Sequence, residues 1–325
     1  MMKKLLAKID EVVERINVHP EYSSSLRTRE FNTLLAEAAK HSLSLELEEE
    51  NLKKSALRKR ERVALQNLDS ASSHLDMYGL SLGTLAALGY LIEPDKNKTR
   101  NFRITEVQFG SFNPPHDYDQ IAGRMKSLVE LMEHSQAHPV LKAIEAHLEI
   151  VQVHPFVDGN GRSARLVQGY CLKKSGYTPG IIVPSDREHY IALLNIALKD
   201  RYAKTSSFEK PSDGENLFRT FVATKVLGSA RRLEEDLRAQ RKYVVTLVDV
   251  PDRAIVISTA QRIRSYGHHI GGQGVKVRIL DIECSGRKDK VLDVTGDIGY
   301  KQVNGIVTKC ALDYGFKTSV HSKSE

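Results

Sequence analysis

The sequence predicts a mainly α-helical protein with one short β-hairpin near its middle and a small C-terminal α+β domain. Three observations carry this. Apolar residues recur at helical spacing through most of residues 1–241. Residues 102–112 instead alternate roughly between apolar and polar. From Lys242 onward, strand-like and helical stretches follow each other at short intervals. The expected division is a helical N-terminal region over 1–78, a core over 79–241 and a C-terminal domain over 242–325.

Leu5, Ile9, Val12, Val13 and Ile16 form one apolar stripe on a helix over 3–19, which His19-Pro20 ends. A second helix is expected over 24–50, with Leu34, Leu35 and Ala38 buried. The basic run 52–66 reads as the solvated face of another helix, and a further one covers 67–78. Ser81 can cap a helix over 82–91, and 94–99 is a polar loop. Phe102, Ile104, Val107 and Phe109 define the alternating stretch, closed by Gly110-Ser111 and Asn113-Pro114-Pro115. Helices follow over 118–134, 141–153, 160–173, 186–198 and 216–241. The tail reads strand 243–250, helix 253–266, strands 275–284 and 290–295, helix 300–314 and strand 316–321. That β-α-β-β-α-β order suggests a ferredoxin-like domain, with Gly271-Gly-Gln-Gly274 as a loop.

The stretch His154-Pro-Phe-Val-Asp-Gly-Asn-Gly-Arg-Ser-Ala-Arg165 concentrates the chemistry. Pro155 disfavours helix at His154, so the preceding helix should stop there. The first turn of the following helix offers free N–H groups and a positive dipole end, an anion site. Arg162 and Arg165, three apart, share a face and can fork onto phosphate oxygens. Asp158 can supply an oxygen to a hard cation bridging those phosphates. His154, with an ordinary pKa of ~6.5, suits a general base at neutral pH. These parts describe transfer of a nucleotide phosphoryl group to a hydroxyl.

The stretch resembles the Fic family of nucleotidyltransferases, whose motif is His-x-Phe-x-Asp/Glu-Gly-Asn-Gly-Arg-x-x-Arg; every fixed position is present. Ala146-His147, Ser175-Gly-Tyr-Thr-Pro179, Pro184-Ser-Asp-Arg187 and Tyr190 extend the likeness. The resemblance implies transfer of AMP from ATP, with Mg²⁺, to a Ser, Thr or Tyr hydroxyl of a protein. By that analogy His154 is the base, Asp158 holds Mg²⁺, and Phe156 packs inward to fix the loop. Gly159, Asn160 and Gly161 cradle the α- and β-phosphates, Arg162 and Arg165 orient the β- and γ-phosphates, and Tyr190 stacks the adenine. Gly161 stands where the family's phosphotransferase branch has Lys, which favours nucleotide transfer. The hairpin takes the place of the family's flap, so Gln108, Phe109 and Gly110 would pair with a target segment. Ser42 and Glu46 resemble the family's inhibitory helix, with Glu46 expected to pair with Arg165 in place of the γ-phosphate. Leu47 departs from the Gly or Asn of that signature, and Ser44-x-x-x-Glu48 offers a second register. A silent core serving as a nucleotide sensor or binding module, and removal of AMP from a target, are the alternatives.

Composition sets the outer bounds. The 325 residues are 41% hydrophobic and 27% charged, as in an ordinary globular protein. Cys171, Cys284 and Cys310 are odd in number and far apart, against a disulfide framework or a zinc site. Lys8 and Asp10 interrupt the apolar start too early for a signal peptide, and no apolar run reaches the ~18 residues of a membrane span. A cytoplasmic protein without membrane contact is expected. From residue 231 onward, 17 Lys and Arg face 12 Asp and Glu, carrying five of the seven net positive charges. The C-terminal domain could therefore hold a target, hold nucleic acid or form a homodimer; nothing in its residues selects among these.

Overall fold

In a computed structural model the chain divides into two compact units. The residues described are 1–19, 24–46, 54–110, 112–115, 117–203, 207–239, 241–269, 275–284, 287–296 and 298–322. One unit holds Met1–Val13 and Asn32–Ala230; the other holds Glu14–Phe31 and Arg231–Glu325.

The first unit is helical. Its elements are α1 (Met2–Val18), α2 (Ser24–Ser44), α3 (Lys54–Tyr78), α4 (Leu82–Ile92), α5 (Tyr118–His134), α6 (Pro139–Val153), α7 (Asn160–Lys174), α8 (Arg187–Tyr202) and α9 (Asp213–Ala239), of which α1, α2 and α9 continue into the second unit. At its centre α6 packs against α7. Helix α6 is apolar on nearly every side, burying Val140, Ala143, Ile144, Leu148, Ile150, Val151 and Val153, as a fully enclosed helix must. Its start is fixed by Pro139 in the first turn and by His138, whose Nδ1 accepts from the Val140 N–H at 3.2 Å. Helix α4 begins in a reciprocal cap: Ser81 Oγ accepts from Thr84 N at 3.2 Å, and Ser81 N donates to Thr84 Oγ1 at 2.7 Å.

Several expected elements differ. Helix α2 ends at Ser44 instead of running to 50, because Glu46 N bonds to Leu43 O at 3.0 Å and closes the last turn early. The basic run and the following helix are one helix, α3; no Gly or Pro interrupts it. The hairpin is reduced to one bridge, Phe109 with Phe112. Its alternation breaks after the first residue: Phe102 is buried as expected, but Arg103 is buried next to it and Ile104 is 81% exposed. Helix α8 continues to Tyr202, where Arg201 enters a buried ion network with Glu145, Glu149 and Glu215.

In the second unit the order is β1 (Lys242–Val248), α10 (Arg253–His269), β2 (Lys276–Cys284), β3 (Arg287–Thr295), α11 (Tyr300–Tyr314) and β4 (Lys317–Ser322). The strands form an antiparallel sheet in the order β2-β3-β1-β4, with Val245 opposite Leu292 on one side and Val320 on the other. Alternate residues Tyr243, Val245 and Leu247 meet Val256, Ala260 and Ile263 of α10 and Val303, Val307 and Cys310 of α11. This is the ferredoxin-like arrangement expected from the element order. The turn expected at 271–274 lies outside the described residues.

Gly89 of α4 lies directly under the Phe156 ring, where an added Cβ would overlap it. The Gly89→Ala variant should lose ~1–3 kcal/mol, read as a lowered urea midpoint, because the ring has no free volume to move into.

Candidate active site

His154 caps α6 in the left-handed region, at φ 51° and ψ 57°. Such a conformation costs a non-glycine residue ~1–2 kcal/mol and needs bracing. His154 N donates to Ile150 O at 2.9 Å, and its own carbonyl accepts from Arg103 Nε at 2.6 Å. Nδ1 lies 3.2 Å from Val151 O. A carbonyl can only accept, so Nδ1 carries the proton and Nε2 keeps its lone pair. Burial lowers the imidazole pKa and Arg103 lowers it further, against the opposing pull of the Val151 carbonyl, Asp158 and Glu46. The ring is thereby held as a neutral base. Phe109 stacks over it, with centroids 4.8 Å apart.

The loop from 155 to 159 is built by amides. Phe156 is buried, and Asn160 clasps its backbone: Oδ1 accepts from Phe156 N and Nδ2 donates to Phe156 O, both at 2.9 Å. Asn97 holds the other side, accepting from Val157 N at 2.9 Å and donating to Asp158 O at 3.0 Å and Gly89 O at 2.9 Å. Gly159 then turns the chain at φ 83° into α7, a conformation only glycine adopts cheaply. The Asn160 side chain is spent inside the loop, so its expected place in a phosphate cradle falls to its backbone alone. Phe156 likewise serves the loop from within, and no part of its ring is open to a ligand.

Arg162 and Arg165 converge on one carboxylate. Arg162 Nε donates to Glu46 Oε2 at 2.7 Å, and Arg165 Nη2 donates to Glu46 Oε1 at 2.5 Å. Arg162 also reaches Glu93 at 2.9 Å and Asp158 at 3.5 Å. Arg165 also donates to Ser42 Oγ at 2.8 Å and to the Ser42 carbonyl at 3.0 Å. Glu46 rests against Gly161, whose missing Cβ would come within 2.5 Å of Oε1. The turn that carries Glu46 is anchored by Arg187, which donates to Leu45 O at 2.8 Å. The Glu46 carboxylate therefore stands between two guanidiniums beside the first turn of α7. The alternative register ends at Glu48, outside the described residues.

Residues 86–172 match the Fic/DOC family. That stretch is similar to a Fic domain. It is 37% identical over 98 residues to "Protein adenylyltransferase Fic" of Drosophila grimshawi, and 38% identical over 103 residues to the protein of that name from Drosophila virilis. Each match covers 30% of this chain and 20% of the relative, so the chain spans about a fifth of the length of these curated relatives. Among solved structures, Fic-1 (residues 134–508) from C. elegans superposes with a TM-score of 0.53 at 22% identity, over 71% of each chain. A Fic family protein from Desulfovibrio desulfuricans G20 gives 0.55 at 21% identity, over 72% of this chain and 74% of the other. At those identities the likeness is one of fold.

Tyr190, outside the matched residues, departs from its expected role. Its ring is 2% exposed, packed on Phe218 and Phe221, and presents no face to an adenine. Its hydroxyl accepts from Arg165 Nη1 at 3.3 Å and sits 2.9 Å from His147 Nε2. His147 Nδ1 lies 2.7 Å from Gln168 Oε1, an acceptor, so Nδ1 is protonated and Nε2 accepts from the phenol. A one-way chain thus runs from Arg165 through Tyr190 and His147 to Gln168, inside the core. Among the flap residues, Gln108 and Gly110 are exposed, and Phe109 lies on the base. Glu93, Asn97, Arg103 and Gln168 carry no signal in the sequence: each is a polar residue in a loop or on a helix, and only the fold shows that Asn97, Arg103 and Gln168 are buried and that Glu93 pairs with Arg162.

Burial, followed by the charge of Arg165, lowers the His147 pKa to about 3. Above pH ~6.5 the ring is neutral in folded and unfolded chains and adds no pH dependence. Between ~6.5 and about 3 the unfolded chain binds the proton and the folded one does not, so stability falls as the pH falls. His147→Gln should flatten the stability–pH slope between pH 6 and 4.5 by up to ~1.4 kcal/mol per unit. Urea titrations at several pH values measure this; equal slopes in the two proteins would refute the assignment.

Proposed function

We propose that this protein transfers AMP from ATP to a Ser, Thr or Tyr hydroxyl of another protein, and that Glu46 restrains the transfer. The observation that carries this reading is a His154 held neutral within electrostatic reach of Asp158 and Glu46, while the two arginines of α7 already grip the Glu46 carboxylate. The printed name of the curated relatives, protein adenylyltransferase, supports the same chemistry.

In this reading the Nε2 lone pair of His154 takes the proton of the incoming hydroxyl while its oxygen attacks the α-phosphorus. The bond from that phosphorus to the β-phosphate oxygen breaks, and pyrophosphate leaves. Arg162, Arg165 and the first N–H groups of α7 carry the charge that builds up on the leaving group. The products are a protein-linked AMP phosphodiester and pyrophosphate. Asp158 fits a Mg²⁺ brought by the nucleotide: its carboxylate is hard and half exposed, with Oδ1 accepting from Gly159 N at 2.5 Å at the head of α7. Bound there, the ion would neutralise phosphate charge. In this reading the exposed Gln108 and Gly110 flank the Phe109–Phe112 bridge and would present a target segment by main-chain pairing.

Glu46 and the γ-phosphate compete for the same guanidiniums, so the carboxylate excludes a productive ATP pose. The test is label from α-³²P-ATP incorporated into the chain itself and into added cell-extract protein. Glu46→Gly should raise labelling about tenfold or more, and adding His154→Ala should cut it by ~10²–10⁴. No label in any variant, with ATP still bound by calorimetry, would overturn the transfer reading.

A further inference from the structure

Arg103 is 5% exposed, and among the described residues its guanidinium donates to four backbone carbonyls. Nε reaches His154 O at 2.6 Å and Nη2 reaches Val153 O at 3.3 Å, so one edge of the fork grips the turn that carries the base. Nη1 reaches Thr105 O at 2.8 Å and Nη2 also reaches Pro115 O at 2.7 Å, so the other edge grips both ends of the flap segment. The Arg103 backbone N donates to Pro155 O at 2.9 Å, closing the same link through the main chain. The flap itself rests on two aromatic stacks. Phe109 lies on His154, and Phe112 lies on Tyr202 with centroids 5.0 Å apart and planes 9° from parallel. Tyr202 is in turn fixed by its hydroxyl to Gln152 O at 2.6 Å.

We propose that Arg103 is a positioning residue that locks the flap to the His154 turn, so that a segment held on the flap is delivered at a fixed distance from the base. The proposal rests on the transfer reading above and names what sets the geometry between target and base. The physical case is the planar fork. A guanidinium has five N–H donors in one rigid plane and can hold carbonyls on opposite sides at once, which an ammonium cannot. The four carbonyls come from two segments that no strand pairing joins: the flap has only the Phe109–Phe112 bridge among the described residues. Without the fork, the flap would keep its aromatic stacks and lose its register against the turn. An error of ~1 Å in that distance costs about a hundredfold in rate. The charge also acts on the base: among the groups facing His154, Arg103 disfavours the imidazolium, while Asp158 and Glu46 favour it.

The test uses the full chain with Arg103→Met and Arg103→Lys. Methionine keeps the bulk and removes fork and charge; lysine keeps the charge and removes the fork. Backbone exchange at the Phe109 and Phe112 amides should speed up at least tenfold in both variants. The His154 imidazole signal should titrate at higher pH in Arg103→Met and near the wild-type midpoint in Arg103→Lys. In a Glu46→Gly background, ATP affinity by calorimetry should stay within about twofold, while labelling falls ten- to a hundredfold in both. Unchanged flap exchange in Arg103→Met would overturn the proposal. So would ATP affinity falling in step with labelling, which would mark a general collapse of the loop. Exchange and titration need no transfer, so failure of the transfer reading appears separately, as absent label with the flap still coupled.

Discussion

The site depends on one left-handed residue. His154 stops α6 in the left-handed region, and α7 begins six residues later at Asn160. A right-handed residue there would carry α6 onward and move the His154 ring away from the loop that leads into α7. The conformation is unfavourable in isolation, and the structure offsets it from three directions: the cap bond to Ile150, the ring bond to Val151, and the Arg103 fork on the carbonyl. Phe156 then wedges against Gly89 and fixes how far the loop can relax.

Around that turn the polar groups divide into two kinds. Asn97, Asn160, Gln168 and the carbonyl partners of Arg103 build the scaffold through hydrogen bonds made by buried side chains. Glu46, Glu93 and Asp158 form ion pairs around Arg162 and Arg165 on the partly open side. The two arginines are the shared members. Arg165 is held at the back by Tyr190 and Ser42, so its aim does not depend on Glu46 alone, whereas the printed partners of Arg162 are the carboxylates of Glu46, Glu93 and Asp158.

Much of this was legible in the chain. The helix over 118–134 has the bounds its pattern predicts, and Pro155 marks the end of α6 as expected. The order of elements after Lys242 leads to the observed sheet. The motif names most of the side chains that gather at the site. What was not legible has a common cause: tertiary partners overrode local pattern. Helix α2 looks able to continue past 44, yet Arg187 and the two motif arginines draw Leu45 and Glu46 off its axis. Phe102-Arg103-Ile104 reads as apolar-polar-apolar, yet the arginine goes inside because four carbonyls await it and the isoleucine is left outside. Tyr190 looks like a ring for a base to stack on, yet its hydroxyl is claimed by Arg165 and His147 in the core.

The Asn97 tether has a consequence for how solution conditions reach the site. It joins α4 to the loop of Asp158 through an uncharged amide that is 5% exposed, so neither protons nor salt can weaken it within the ordinary range. The Glu46 carboxylate is ionic and 30% exposed, and its attraction to Arg162 and Arg165 is open to screening by counterions. Rising ionic strength therefore acts on the carboxylate and leaves the loop unchanged: the occupant of the anion site can be loosened while the site keeps its shape.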